Sequence, residues 1–344
     1  MSLPLLTEAR APLTREIEIV NEHGERESIS IPAERDLTIY VDKRELVTLM
    51  TLGARPEWLV LGYLRNQRLV ESPDEVKSIT VDWEVGAAAV TTRAGIDRIE
   101  ERTSKRIVTT GCGQGSVFGG LMDEIDSISL SQGAITQTQL YAIVNAIRLQ
   151  ESTYKSAGSV HGCALFQGEE MLLFVEDVGR HNAIDTIAGW MWMNGVAPTL
   201  AAQAAALPLQ GAPPPEASPH QPVQACAGSS GAAGFCPEGA VPPWGGPAAE
   251  RAPTLAAGGT AADAPYVFYT TGRLTSEMVI KSAQMGVAVV VSRSGITQMG
   301  HEIAQRLGLC AIGRATHKRF LCYSAPQRLM LQPGLAGPKL RAAA

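Results

Sequence analysis

The side chains best suited to chemistry follow a short apolar run in the middle of the chain. Glu176, Asp177, Arg180 and His181 come directly after residues 171–175, whose composition is typical of a buried strand. From residue 184 onward apolar residues recur at helical spacing, so the polar group lies in a predicted strand-to-helix turn. Such turns in α/β sheets present ligand sites beside free helix N–H groups. The residues alone equally allow a solvated loop with a local Asp–Arg ion pair.

Cys112 is the second candidate, because its flanking sequence favours access to a thiol. Three glycines fall within the five residues 111–115. Glycine adopts backbone angles that other residues avoid and lets another molecule approach the sulfur closely. A thiolate surrounded by free N–H groups is stabilised and becomes nucleophilic at neutral pH. The alternative is a small buried cysteine in a tight turn.

Four blocks of sequence, in order, resemble the formate dehydrogenase accessory sulfurtransferase family, the FdhD/NarQ proteins. The most specific is Glu-Asp-Val-Gly-Arg-His-Asn-Ala at residues 176–183. The other blocks are residues 109–115, residues 271–282, and residues 307–323 with the trailing 326–329. The resemblance covers residues 13–195 and 266–330, so it extends over most of the chain.

The resemblance implies an α/β fold with a cytidine-deaminase-like mixed sheet and flanking helices, plus a smaller N-terminal α+β part. We assign the N-terminal part to residues 13–110, the core to 111–330 and a flexible tail to 331–344. Residues 196–265 interrupt the core. Ala, Pro and Gly make up 43 of these 70 residues, so the segment has few large side chains to bury. It is predicted to be a largely disordered insertion between two core elements, and a functional module is the alternative.

Strands and helices alternate along the chain, which by itself favours a mostly parallel sheet. Strands are predicted at residues 37–41, 46–50, 79–83, 88–92, 171–175, 266–269, 287–292 and 309–313. Helices are predicted from Pro56, from Thr138 and from residue 184, and at residues 276–285 and 297–307.

The resemblance implies a sulfur carrier required for formate dehydrogenase activity. Cys112 falls on the first cysteine of the family's Cys-x-x-Cys and would carry sulfur from a cysteine desulfurase as a persulfide. The recipient would be the molybdenum cofactor, bis-molybdopterin guanine dinucleotide, before its insertion into formate dehydrogenase. Gly115 replaces the family's second cysteine, which excludes a disulfide within the motif. A non-catalytic chaperone that binds the molybdenum cofactor without sulfur transfer is the alternative.

The residues expected to hold the cofactor are mostly basic. In the family, cofactor binding is assigned to the segment that corresponds to residues 314–319, and pyrophosphates suit Arg forks and a Lys point charge. The predicted binding set is Arg314, Ala315, Thr316, His317, Lys318, Arg319, Arg273, Asp177, Arg180 and His181. A solvated basic hairpin is the alternative for residues 314–319, and an Arg–Glu pair beside an ordinary helix cap is the alternative for Arg273. His181 or Asp177 is also a candidate for shuttling a proton.

Cys163 lies two residues after His161, which could polarise its thiol. The family typically has small residues in this block, which favours a space-filling core cysteine. The three residues 161–163, His-Gly-Cys, also resemble the His-x-Glu of zinc deaminases. The general-base Glu is absent, however, and no Pro-Cys-x-x-Cys follows. No zinc is expected, and a nucleotide deaminase or hydrolase is disfavoured.

The net charge of the chain is −5, and the charges are distributed unevenly along the sequence. Residues 1–195 carry 18 Lys and Arg against 28 Asp and Glu, whereas residues 266–344 carry 10 against 2. A basic C-terminal portion on an acidic protein indicates a local anion site rather than a nucleic-acid surface. The six cysteines form no repeating framework, the first fifteen residues do not resemble a secretion signal, and no long uncharged apolar run is present in the sequence. We therefore expect a cytoplasmic protein without a membrane partner, and a homodimer by family analogy.

Overall fold

A computed structural model of the chain describes residues 3–96, 107–108, 115–116, 125, 128, 130, 133–196 and 264–335. In these residues the strands are β1 (Leu5–Leu6), β2 (Thr14–Val20), β3 (Arg26–Pro32), β4 (Arg35–Val41), β5 (Arg44–Thr51), β6 (Val76–Asp82), β7 (Ala87–Thr92), β8 (Ile107–Val108), β9 (Gly115–Ser116), β10 (Ile135–Thr136), β11 (His161–Gln167), β12 (Glu170–Asp177), β13 (Tyr266–Thr270), β14 (Val289–Ser292), β15 (Cys310–Thr316), β16 (Arg319–Cys322) and β17 (Leu329–Met330). The helices are α1 (Pro56–Asn66), α2 (Gln137–Leu149), α3 (Thr153–Ala157), α4 (Arg180–Met193), α5 (Ser276–Gln284) and α6 (Gln298–Leu307).

The larger sheet, called the central sheet below, has the strand order β12-β11-β13-β14-β15-β16. Strands β13, β14 and β15 are parallel, whereas β11 is antiparallel to both of its neighbours and β16 is antiparallel to β15. The predicted mixed α/β class with flanking helices is confirmed, but the expectation of a mostly parallel sheet is wrong. The connections β11–β12 and β15–β16 are two-residue turns, and so short a link can join only antiparallel neighbours.

Alternate residues of the central sheet pack against different helices. Leu165, Phe268 and Val290 lie in a buried cluster with side chains of α4, α5 and α6. Phe166 and Val267 point to the other face and pack with side chains of α2. This alternation is the period-2 pattern of a strand that is buried on both faces. The sheet is therefore the middle layer of three.

A second sheet, called the N-terminal sheet, has the strand order β1-β6-β7-β4-β5 and packs against α1. Helix α1 lies between this sheet and α4, and the two helices cross at a pair of glycines. A Cβ added to Gly62 would lie 1.7 Å from the backbone oxygen of Asp185, and one added to Gly189 would lie 2.0 Å from that of Trp58. Only hydrogen atoms fit at these two positions, so the helix axes approach more closely than larger residues allow.

One predicted burial and two predicted boundaries are wrong, each for a physical reason. The strand predicted at residues 171–175 is the edge strand β12 and is half-buried rather than buried. Helix α4 begins at Arg180, four residues before the apolar periodicity starts, because the backbone turns helical directly after Gly179. Strand β15 continues to Thr316, beyond the predicted end at residue 313, because Thr316 pairs with Arg319 of β16. The β4–β5 hairpin and the start of α1 at Pro56 are confirmed.

Parts of the predicted organisation lie outside the described residues. These parts are Cys112, residues 197–263 of the insertion, and residues 336–344 of the tail. At the start of the tail, the side chain of Gln332 accepts hydrogen bonds from the backbone N–H and hydroxyl of Thr138 in α2. None of the helices in the described ranges is long and apolar enough to cross a bilayer.

Candidate functional site

The predicted site residues of the middle of the chain meet at one edge of the central sheet. Strand β12 ends there at Asp177, β13 at Thr270 and β14 at Ser292, and β11 begins there at His161. We call this the carboxyl edge. Helices α4 and α5 both begin at this edge, so their free N–H groups lie beside the strand ends. The sequence prediction of a polar strand-to-helix turn at residues 176–180 is confirmed in its location.

Asp177 links the carboxyl edge to the N-terminal sheet through hydrogen bonds. One carboxylate oxygen accepts hydrogen bonds from the hydroxyl of Thr51 and the backbone N–H of Leu52. The other accepts from the backbone N–H of Gly179 at 3.0 Å and from the side-chain amide of Asn182 at 2.9 Å. Burial raises the pKa of Asp177, and these four donors oppose the rise by stabilising the carboxylate. Both oxygens are engaged within the protein, so the geometry suits Asp177 to positioning the turn.

Arg180 is buried yet leaves hydrogen-bonding capacity unused. Its side chain lies in the first turn of α4 with 4% of the residue exposed. Among the described residues, no hydrogen-bond partner reaches its Nε or one of its terminal nitrogens. The aliphatic part of the side chain packs against Gly272, where an added Cβ would lie 2.7 Å from Arg180 Cδ. A buried, partly unpaired guanidinium costs folding free energy, so this arrangement favours an anionic ligand at the carboxyl edge.

His161 lies near two arginines of the carboxyl edge. Burial lowers its pKa, and the charges of Arg180 and Arg273 lower the pKa further. Arg273 itself is exposed and follows the Thr271–Gly272 turn after β13. Arg180 and Arg273 therefore both lie close enough to His161 for their positive charges to affect it.

His181 is neutral in the folded protein. Burial lowers its pKa to about 3, which outweighs the opposing effect of Glu277. Its Nε2 lies 3.6 Å from a Glu277 oxygen, and in the described part of the chain this nitrogen has no hydrogen-bond partner. The Nε2 of a neutral imidazole can accept or donate one hydrogen bond at the carboxyl edge, depending on its tautomer.

His181 lies beside a buried cluster of charged side chains that shares Glu277 with it. The sequence analysis gave this cluster no role. Lys281 of α5 contacts Asp185 at 2.8 Å and Glu277 at 3.2 Å. Although burial lowers the pKa of Lys281, Asp185 and Glu277 together raise it above its ordinary value, so the lysine stays charged. Asn66 of α1 donates to Asp185 at 2.7 Å. The available signal was the i, i+4 spacing of Glu277 and Lys281 on either side of the apolar residues 278–280.

Cys163 lies in the core beside this edge. The residue is fully buried, and its thiol donates a hydrogen bond to the hydroxyl of Thr270 at 3.3 Å. Burial raises the pKa of Cys163 to about 12, so the thiol stays protonated and is a poor nucleophile. This agrees with the interpretation of Cys163 as a space-filling residue. Across the described ranges, no group of three His, Cys, Asp or Glu side chains is placed to hold a metal ion.

The basic segment, residues 314–319, forms the far end of the β15–β16 hairpin rather than a free loop. Arg314, Thr316, His317, Lys318 and Arg319 are exposed, whereas Ala315 is buried. The backbone N–H of Arg314 donates to the carbonyl of Ser294 at 2.7 Å, just past the end of β14. Since β13, β14 and β15 are parallel, this segment extends from the same carboxyl edge that carries Arg180 and Arg273.

The candidate thiol cannot be placed against these groups. Cys112 lies outside the described residues, between strands β8 and β9 in the sequence. Those two strands pair antiparallel, with Val108 opposite Gly115. The role of Cys112 therefore stays a prediction.

The fold is that of an α/β protein, and buried and exposed arginines lie together at one edge of its central sheet. The sequence model of the FdhD/NarQ family matches residues 32–206 and 255–330. The chain therefore belongs to the FdhD/NarQ family.

Relatives of the chain are similar over most of their length. The sulfur carrier protein FdhD of Halalkalibacterium halodurans is 24% identical over 317 residues, which covers 91% of this chain and 93% of that protein. The sulfur carrier protein FdhD of Bacillus subtilis is 24% identical over 294 residues, covering 85% and 87%. A crystal structure of a proposed formate dehydrogenase accessory protein from Desulfotalea psychrophila matches with a TM-score of 0.59 and 18% identity, over 93% of this chain and 100% of that chain. This structural match supports the fold.

Proposed function

We propose that this protein is a cytoplasmic sulfur carrier required for formate dehydrogenase activity. It takes sulfur from a cysteine desulfurase as a persulfide on Cys112 and delivers it to the molybdenum cofactor, bis-molybdopterin guanine dinucleotide, before the cofactor enters formate dehydrogenase. The observation that carries the proposal is the FdhD/NarQ match on both sides of the insertion. The relatives' names add support, because they describe sulfur carriers of similar length.

Loading requires only one thiol on this chain. The Cys112 thiolate attacks the outer sulfur of the desulfurase persulfide, and a new S–S bond forms as the old one breaks. The desulfurase cysteine leaves as a thiolate, and Cys112 retains the outer sulfur as a persulfide. Gly115 cannot attack this persulfide, so the sulfur has no competing thiol three residues away.

Anion recognition is the second half of the proposal. The guanine dinucleotide carries pyrophosphates, and Arg180 supplies a buried guanidinium at the carboxyl edge with donors that no described residue engages. Arg273 and the basic segment, residues 314–319, extend the positive surface outward from that edge. His181 offers a neutral imidazole at the same edge that can hydrogen-bond a ligand, while Asp177 holds the turn in place. We expect a homodimer, in keeping with the family.

Intact-mass analysis tests the sulfur-carrier assignment. Purified protein incubated with a cysteine desulfurase and cysteine should gain the mass of one sulfur atom, and dithiothreitol should remove it. Cys112→Ser should gain nothing, whereas Cys163→Ser should load normally because Cys163 is buried and protonated. Equal loading of Cys112→Ser would reject the assignment.

A non-catalytic chaperone for the molybdenum cofactor is the second candidate, and Gly115 in place of a second cysteine is the observation that favours it. A chaperone would bind the cofactor's guanine nucleotide portion and gain no sulfur in the same experiment. GDP binding together with absent loading in folded wild-type protein would select this alternative.

A further inference from the structure

Two thiols of the central sheet lie side by side at the base of the hairpin that carries the basic segment. Cys310 begins β15, Cys322 ends β16, and their sulfur atoms are 3.9 Å apart. Both cysteines are free thiols. Every residue of the basic segment lies between them in the sequence, so a bond between the two sulfurs would close a loop around it.

The hairpin is held unevenly along its length. Near its base, Cys322 pairs with Ile312 and Leu321 pairs with Gly313. The register then shifts, and the pairing resumes only at Thr316 and Arg319. Arg314 and His317 both have φ near +50°, a region that costs free energy for residues with a side chain. The far half of the hairpin therefore has fewer ladder hydrogen bonds to restrain it than the base.

The chemistry of the two thiols differs in a way that suits disulfide exchange. Cys322 is half-buried, whereas Cys310 is buried against the face that packs on α2. A hydrogen bond from the Cys310 thiol lowers the pKa of Cys322 to about 7, and the same contact, together with burial, raises the pKa of Cys310. The more accessible sulfur is thus the one that reaches the thiolate form near neutral pH.

We propose that Cys310 and Cys322 form a reversible disulfide that fixes the base of the β15–β16 hairpin and raises the affinity of the basic segment for a nucleotide pyrophosphate. The oxidant class is a small-molecule disulfide such as oxidised glutathione. Cys322 attacks one of its sulfurs and releases the first thiol. Capping of the Cys322 sulfur removes the contact that contributes most to the raised pKa of Cys310. Cys310 then loses its proton, attacks the Cys322 sulfur and releases the second external thiol, so two protein thiols are oxidised as one external disulfide is reduced.

Affinity rises because a cross-link restricts the free hairpin more than the bound one, which lowers the ordering cost of binding. Closure requires the sulfurs to move from 3.9 Å to a bonded separation of about 2 Å, a change that rotation about the Cα–Cβ bonds can supply. The nucleotide part of this inference rests on the proposed function, whereas the disulfide itself does not.

Peptide mapping of the full chain in buffered mixtures of reduced and oxidised glutathione tests the disulfide. Trypsin separates the two cysteines into peptides 307–314 and 320–328, so a linked pair of these peptides identifies the bond. The linked pair should accumulate as the oxidised fraction rises and vanish with dithiothreitol. Cys322→Ser and Cys310→Ser should each abolish it, and Cys226→Ser should not. A folded wild-type protein that forms no such pair, or links Cys322 mainly to another cysteine, would overturn the proposal.

Calorimetric titration with GDP tests the consequence. The linked protein should bind GDP about threefold to tenfold more tightly than the reduced protein, and Cys322→Ser should show no dependence on oxidation. Equal affinity in a fully linked sample would overturn the regulatory role. If GDP binds neither form, the proposed function loses its nucleotide site, while the linked peptides still report the disulfide.

Discussion

Thr51 donates a hydrogen bond to Asp177 although 126 positions separate the two residues. Thr51 ends β5 of the N-terminal sheet, and Asp177 ends β12 of the central sheet. The contact therefore fixes the carboxyl edge, where Arg180 has two nitrogens that no described residue engages, against a part of the chain that carries none of the predicted binding residues.

Asp177→Asn should lower the free energy of unfolding by about 2–3 kcal/mol, because an amide NH2 would face donors that now share two carboxylate oxygens. Urea denaturation measures the loss. Asp82→Asn is the matched control, since Asp82 is exposed and its carboxylate accepts from the backbone N–H of Glu84. Similar stability losses in the two variants would show that the buried Asp177 contacts contribute no more to the free energy of unfolding than an exposed contact does.

Gly62→Ala should destabilise the protein by about 3 kcal/mol or more, because the new methyl group would overlap the backbone of α4 at Asp185. Thermal unfolding followed by circular dichroism detects the change. Gly295→Ala is the control, because an added Cβ there meets nothing within 4 Å. A Gly62→Ala protein as stable as Gly295→Ala would mean that α1 and α4 do not cross at this distance.

Arg180→Met should weaken GDP binding about tenfold or more while leaving the melting temperature unchanged or higher. A methionine of similar volume removes a buried charge whose desolvation is only partly offset. The variant should also raise the pKa of His161 in NMR titration, since one of the two cations that lower it is gone. A large stability loss with unchanged GDP affinity would assign Arg180 to packing.

Replacing Arg314, Lys318 and Arg319 together by Ala should weaken GDP binding with little effect on stability, because these side chains are exposed. The loss should be larger at low salt, where screening is weakest. The control replaces three exposed basic residues elsewhere, Arg26, Lys77 and Arg148, and removes the same charge. Equal losses in the two triple variants would indicate a general electrostatic effect rather than a site.

Local sequence patterns were enough to locate most of the elements. The alternation in β4 and β5, with Asp42 and Lys43 in the turn, and the proline that begins α1 carry their information within a few residues. The start of α4 escaped prediction because Arg180 and His181 are buried polar residues, which apolar periodicity does not count. Their burial depends on Gly272 and Glu277, which follow them by about ninety positions in the sequence.

The sheet's mixed direction escaped prediction for a similar reason. Strand–helix alternation records which elements follow one another, but not which strands become neighbours. Strand β11 pairs with β13 although helix α4 and the whole insertion lie between them in the sequence. Contacts of this kind, like Thr51 with Asp177, have no local signature, whereas the motif at residues 176–183 predicted the strand-to-helix turn correctly because its members are contiguous.

Helix α1 is enclosed on nearly every side, with ten of its eleven residues buried. One side faces the N-terminal sheet and the other faces α4, which is made more than a hundred residues later. During synthesis from the amino terminus, this helix therefore leaves the ribosome long before its second partner exists. Its apolar surface must stay exposed or be shielded by other molecules until residues 180–193 emerge. The N-terminal sheet and α1 are therefore synthesised first but complete their packing late.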